Sequence, residues 1–163
     1  MQRFAELQDV PAMVRLSASK RASYAKHSPV FWRPANSADE AQAKFFAKLI
    51  NDRDHLCVVS IDDGICNGFA IGRLMQAPPV YEPGGRVCMI DDFAVVRDSL
   101  WGTVGRDLYR YVRTEAARRH AALTIIVCGK HDAAKGDMLR TNGTQVASEW
   151  HVQSLDDPHP NVD

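Results

Sequence analysis

Two short features of residues 91–106 carry residue types that do chemistry. Asp91 and Asp92 lie side by side in an apolar, strand-like run, and strand alternation sends them to opposite faces. Two adjacent carboxylates there cannot both be ordinary surface charges if the sheet is covered. A few residues on, Gly102 and Gly105 fall in a loop that runs straight into a helical pattern. Strand, glycine loop and helix together form the usual cradle for a phosphate, through main-chain N–H groups and the positive end of the helix. In that cradle Gly105 allows close approach, Thr103 adds a hydroxyl donor and Arg106 a charge in the helix's first turn. On the two glycines alone, a tight strand-to-helix turn accounts for the loop equally well.

The chain that must position these groups has 163 residues, 45% of them apolar and 25% charged, with a formal net charge of zero. That length supports one domain with a proper core, expected over residues 1–154, followed by a polar tail at 155–163. Neutrality gives no electrostatic reason for a nucleic acid or an anionic membrane as partner, so an anionic ligand must be held by local geometry. Cys57, Cys66, Cys88 and Cys128 show no C-x2-C spacing, and three fall in apolar runs. They read as buried, reduced thiols of a cytoplasmic protein, with neither a disulfide framework nor a metal site. The first residues lack the apolar core of a signal peptide, and no run approaches the ~18 apolar residues that span a bilayer. The chain is expected to be soluble.

Asp9 is placed to cap a first helix that carries Met13, Val14, Leu16 and Tyr24. Phe31 and Trp32 follow in a loop between Pro29 and Pro34, too apolar to be left in water without a reason. Ser37 and Glu40 form a capping-box pattern ahead of Ala41, Phe45 and Leu49 at helical spacing. Strands are predicted over 55–61 and 66–75, joined at Asp63-Gly64, a type I′ turn signal. After a Pro/Gly-rich loop at 76–86 comes the strand that ends in the acidic pair. A helix is predicted over 105–119, and 122–128 reads as a central strand covered on both faces. Asp132 then caps a helix over 133–141, ended at Asn142-Gly143 by a left-handed cap, and 144–152 alternates as a last strand. The order is α-α-β-β-β-α-β-α-β, an α/β chain with a mixed sheet.

This order, with IDDFAVV running into a glycine loop and helix, resembles the GCN5-related N-acetyltransferase superfamily over roughly residues 3–152. The resemblance implies that fold, with its central strands splayed, and acetyl-CoA as co-substrate. It implies that Phe93, Ala94 and Val95 pair with the pantetheine arm through their main chain. Trp101, Gly102, Thr103, Val104, Gly105 and Arg106 would then hold the pyrophosphate, and Asp132 would take the place of the asparagine that usually opens the following helix. The loop departs from the family's pattern at Leu100, where Arg or Gln is usual, and at Thr103, where a glycine is usual. IDDFAV is similar to the corresponding strand of polyamine acetyltransferases, in which an acidic pair contacts the amine. By that match Asp91 is the first candidate base and Asp92 the second, with a cap or a structural ion pair as the alternative for either.

Acyl transfer to an amine also needs a proton for the departing thiolate. The family places a tyrosine for this where the present chain has Leu139, which cannot donate. His131 and Tyr81 are the substitutes on offer, though His131 also reads as a plain loop histidine. Phe31 and Trp32 are expected to line the acceptor pocket or to pack under the first helices. Trp150 reads as a strand or dimer-interface aromatic, and a homodimer is the superfamily's common habit. The sequence holds no Gly-x-Ser-x-Gly elbow, Walker loop or His-x-x-x-His pair. Two functions follow: an N-acetyltransferase acting on a small primary amine, or a non-catalytic acyl-CoA-binding domain on the same fold.

Overall fold

The computed structural model describes residues 1–155, so most of the expected tail, 156–163, lies outside the described residues. Five strands form one sheet in the order β1-β2-β3-β4-β5: β1 (Gln2–Phe4), β2 (His55–Asp62), β3 (Ile65–Met75), β4 (Arg86–Val95) and β5 (Ala121–Ile126). The first four are antiparallel neighbours, and β5 runs parallel to β4. Helix α3 (Arg106–Arg118) makes the crossover between those two, as a parallel pair requires. Helices α1 (Val10–Ala25) and α2 (Ala38–Ile50) precede the main hairpins, and α4 (Ala133–Thr141) follows β5.

The sheet is covered on both faces. Leu56, Val58, Ala70, Cys88, Ile90 and Phe93 pack against Leu108 and Val112 of α3 and Met138 and Leu139 of α4. On the other face Cys57, Val59, Phe69, Ile71 and Ala94 pack against Met13, Val14 and Leu16 of α1 and Phe46 and Leu49 of α2. Close approach of α3 depends on glycine in β3. A Cβ at Gly72 would stand 2.8 Å from Cys88 Sγ and 2.9 Å from a Val112 methyl. Gly72→Ala therefore overpacks the interface, with an expected loss of about 1–3 kcal/mol in denaturant titration.

Local signals are met at several points. Asp63 and Gly64 both have positive φ, at 47° and 77°, as the hairpin turn demands. Asp132 caps α4 by accepting from Lys135 N at 3.3 Å, and Gly143, with φ 82°, ends that helix. Ser37 does precede α2, but its side chain makes no capping bond. The Asp9 carboxylate makes no bond into α1 either; Arg3 holds it at 2.7 and 2.9 Å, and Glu6 N donates to it at 2.8 Å.

Three expectations are corrected. Strand β1 was not predicted, because three residues carry no periodicity; its partner is β2, far along the chain. Residues 144–152 form no strand, and Val146 and Trp150 stand exposed. Alternation supplies a strand only where an edge takes it up, and this segment pairs with none. Consequently β5 is an edge strand among the described residues, with Leu123 and Ile125 about half exposed, although its apolar run reads as a central strand.

One irregularity in β4 sets the site. Ile71 pairs with Asp92 and Gly72 with Ile90, so Asp91 is an extra residue, a β-bulge. The alternation changes phase there. Cys88 and Ile90 share the α3/α4 face with Phe93, while Asp92 joins Ala94 on the α1/α2 side. The expectation that simple alternation would put the two aspartates on opposite faces is therefore replaced. Asp91 is the exposed bulge residue, and Asp92 is half-buried below α1.

Candidate functional site

Strands β4 and β5 pair from Arg86/Ala121 to Ile90/Ile126, and a last bond runs from Val127 N to Ile90 O at 2.9 Å. Beyond it they part. Asp92–Val95 keep their pairing with β3 but, among the described residues, have no strand partner on the β5 side. A wedge thus opens at the C-terminal ends of the two parallel strands, and the N-terminus of α3 reaches the same end of the sheet. The bulge lies at the wedge's first free residue, where a break in regular pairing is expected.

Four elements bring charged and polar groups to this wedge. Lys20 of α1 donates to Asp91 O at 3.1 Å, and the Asp91 carboxylate accepts from Asp92 N at 2.9 Å. Burial pushes the Asp92 carboxyl above the usual aspartate range; the Lys20 charge opposes the rise and the Asp91 charge adds to it. Burial also lowers Lys20 from the ordinary lysine value, against the pull of Asp92, Asp132 and Asp91. One turn further along α1, the buried Tyr24 donates its hydroxyl to Asp132 Oδ2 at 2.7 Å and accepts from Gly129 N at 3.3 Å. Burial first, and then the bond to Asp132, hold the Tyr24 phenol far above the ordinary value.

Lys135 sits deepest. It is fully buried in the first turn of α4, and its Nζ donates to Val127 O at 2.7 Å. The same nitrogen lies 5.0 Å from the Phe93 ring and 5.4 Å from the Trp101 ring. Among the described residues no carboxylate forms an ion pair with it. Burial pushes its ammonium down to about 7, with repulsion from Lys20 adding to the fall and Cys128, Asp132 and Asp92 opposing it. The positive end of α4 adds to the disfavour. Because the folded value lies below the unfolded 10.5, the unfolded chain binds this proton more strongly in the interval between them. Stability should rise with pH from about 7 towards 9 as the penalty is relieved. Denaturant titrations of wild type and Lys135→Met check this: the rise belongs to the wild type, and the variant lacks that contribution.

The turn between β4 and α3 differs in detail from the reading of its sequence. Residues Asp98–Leu100 form a 3₁₀ turn and Trp101–Gly105 one wide turn of π-helix that leads into α3. A Cβ on Gly105 would stand 2.5 Å from the Trp101 ring, so this glycine makes room for the tryptophan and not for a ligand. Gly102 is the glycine that faces open space, beside the exposed Thr103. The Thr103 hydroxyl donates back to Leu100 O at 3.4 Å, and Arg106 Nε is held by Asp107 at 2.9 Å. Val104 packs towards Gly68 of β3. The Trp101 N–H already donates to Asp98 O, so what the turn offers a phosphate is main chain at 102–104, as in any first helical turn.

Other predicted residues divide by place. Phe93 is buried edge-on against Trp101 at 4.8 Å between centroids, Ala94 is buried on the opposite face, and Val95 is half-buried. Trp32 packs edge-on against Tyr24 at 5.0 Å, and Phe31 lies against Trp32 at 4.7 Å and Trp150 at 6.0 Å. These aromatics therefore border the wedge through Tyr24. His131 stacks on His27 at 4.5 Å, exposed at the rim. Asp132 is occupied by Tyr24 and by its own helix. Tyr81 is not part of the site. Its loop joins the end of β3 to the start of β4, where Met75 pairs with Val87, the opposite end of the sheet from Asp92. Leu139 is core.

The sequence reading missed Lys20, Tyr24, Cys128 and Lys135. Lys20, Tyr24 and His27 recur at helical spacing, a stripe that was legible. Lys135, in AAKGD, carries no such signal, since a lysine there reads as solvated surface.

No family model matches the sequence, and no curated protein does. Solved structures match its fold. A mutant of a Bacillus halodurans protein superposes with a TM-score of 0.83 at 14% identity, covering 95% of this chain and 99% of that one. A predicted acetyltransferase of Clostridium acetobutylicum with acetyl-CoA gives a TM-score of 0.72 at 17% identity, covering 98% of each chain. An aminoglycoside acetyltransferase from an uncultured soil metagenomic sample, in complex with sisomicin, gives 0.64 at 15% identity, covering 94% and 96%.

Proposed function

From the premise that this chain has the GCN5-related N-acetyltransferase fold, we propose that the protein is an acetyl-CoA-dependent N-acetyltransferase. Its acceptor is the primary amine of a small molecule or peptide, and the amine attacks the thioester directly. The observation that carries this reading is the parting of β4 from β5 after Ile90, with Asp92 beside the gap. The unpaired edge at 91–95 suits the amide-bearing pantetheine arm as an added strand, and the turn at 102–104 suits its pyrophosphate. Asp92 takes the role of base, ahead of Asp91. Its half-buried carboxylate has a raised affinity for a proton, while Asp91 spends its carboxylate on Asp92 N and stands in solvent. The aromatic group Tyr24, Trp32 and Phe31 walls the acceptor side, where a cationic amine can lie on ring faces.

Among the described residues no helix is long and apolar enough to cross a membrane. All four cysteines are free, in keeping with a protein of the reducing cytoplasm. The exposed β5 edge and Trp150 suit a homodimer. A second reading, an acyl-CoA-binding domain without turnover, is favoured by the burial of Leu139 where a donor is usual. Calorimetric titration with acetyl-CoA, followed by a CoA-release assay over a panel of primary amines, separates the two. Binding with release supports the transferase, binding without release on any amine supports the second reading, and no binding removes both.

A further inference from the structure

Lys135 combines three features that seldom occur together: complete burial, no carboxylate partner among the described residues, and a position at the vertex of the wedge. Its Nζ bonds the carbonyl of Val127, the residue at which β5 leaves β4, and faces Phe93 on the strand whose edge is free. A buried cation that, among the described residues, is held by one carbonyl and two ring faces destabilises the fold. Methionine or leucine would fill the same space more stably, so packing alone gives no reason for lysine.

We propose that Lys135 Nζ is the proton donor to the thiolate that departs when an acyl thioester lying along the free edge of β4 is attacked. The inference rests on the acetyltransferase reading above and adds to it the acid that Leu139 cannot supply. The balance is simple. The amine nitrogen forms the new C–N bond, the C–S bond breaks with its electron pair going to sulfur, and sulfur takes a proton from the Lys135 ammonium. The neutral lysine is recharged from solvent, and the proton of the amine leaves through the base. An ammonium that releases its proton near neutrality is matched to a thiolate, whose own affinity for a proton is about 8.5 in unperturbed form. The groups that face Lys135 and set its titration are Lys20 of α1, Asp92 of β4, and Cys128 and Asp132 ahead of α4.

Hydroxylamine is the test acceptor, because it is neutral at pH 7 and isolates protonation of the leaving group. Acetyl-CoA affinity is measured first by calorimetry, then release of free thiol from acetyl-CoA is followed for wild type, Lys135→Met and Lys135→Arg. Both variants should bind acetyl-CoA within about threefold of wild type and turn over about 100-fold more slowly. Arginine keeps the charge but does not give up its proton, so its failure separates acid from electrostatic support. The wild-type rate should fall as pH rises through about 7, and the variants should lack that limb. Lys135→Met should also melt about 2–4 °C higher at neutral pH, which loss of a merely structural contact would not produce. Turnover of either variant within threefold of wild type overturns the proposal, as does equal loss of affinity and rate, or a wild type that binds acetyl-CoA but shows no enzyme-dependent thiol release. A wild type that binds no acetyl-CoA overturns the underlying reading as well, and the calorimetry identifies that case.

Discussion

Trp101→Ala should lose about 3–5 kcal/mol of unfolding free energy, the largest single loss expected outside the strands. Trp101 is 4% exposed and fills the space between the wedge and α3. Its ring meets Phe93 edge-on, lies over the spot where Gly105 lacks a Cβ, and faces the Lys135 ammonium. Removing it opens a cavity in the core that β4, α3 and α4 share. Native domains have only about 5–15 kcal/mol in total, so the variant should be partly unfolded at 37 °C. Chemical denaturation followed by circular dichroism measures the loss. Gly105→Ala attacks the same contact from the other side, since its new carbon meets the ring. A double-mutant cycle tests the link: Gly105→Ala should cost about 1–3 kcal/mol in wild type and much less beside Trp101→Ala. Equal cost in both backgrounds would mean that Gly105 serves some other constraint.

Asp92→Asn should lower turnover about 10²–10⁴-fold while leaving the acetyl-CoA dissociation constant within about threefold. The asparagine keeps the shape and removes the group that takes the proton. Asp91→Asn should be milder, because Asp91 is exposed and its carboxylate is engaged with Asp92 N. The stability sign distinguishes a catalytic loss from a folding loss. The folded-state affinity of Asp92 for a proton is raised, so its contribution to stability falls as pH climbs from about 3.8 through the folded value. At pH 7 the carboxylate is therefore a net cost, and Asp92→Asn should be at least as stable as wild type. For the same reason the acidic limb of the rate profile should lie above the ordinary aspartate range. Should Asp91→Asn prove the more damaging substitution, the bulge residue and not its neighbour is the base.

Where the sequence reading and the fold differ, range of interaction is the cause. The Asp63-Gly64 turn, the Asp132 cap and the Gly143 helix end depend on residues within four positions, and each stands as read. The capping pattern at Ser37 and Glu40 placed α2 correctly without forming its bond. Alternation at 144–152 was real but found no partner, and the apolar run at 121–126 became an edge for that reason. The bulge at Asp91 was invisible because it is a property of a register between two strands, not of either alone.

The sequence by itself therefore determined the elements from α1 to α4, their order, the parallel crossover through α3, and the acidic pair at the end of β4, but neither β1 nor the absence of a strand at 144–152. Periodicity, turn chemistry and capping are encoded over a few residues and survive without knowledge of neighbours. Only the tertiary structure decided which aspartate sits against α1, that Gly105 serves Trp101, and that Tyr81 lies at the far end of the sheet. It also decided that Lys20, Tyr24 and Lys135, drawn from helices over a hundred residues apart, converge on one wedge. Burial and charge proximity come from packing distant segments together, and they are what turn an ordinary lysine into a group that titrates near neutrality.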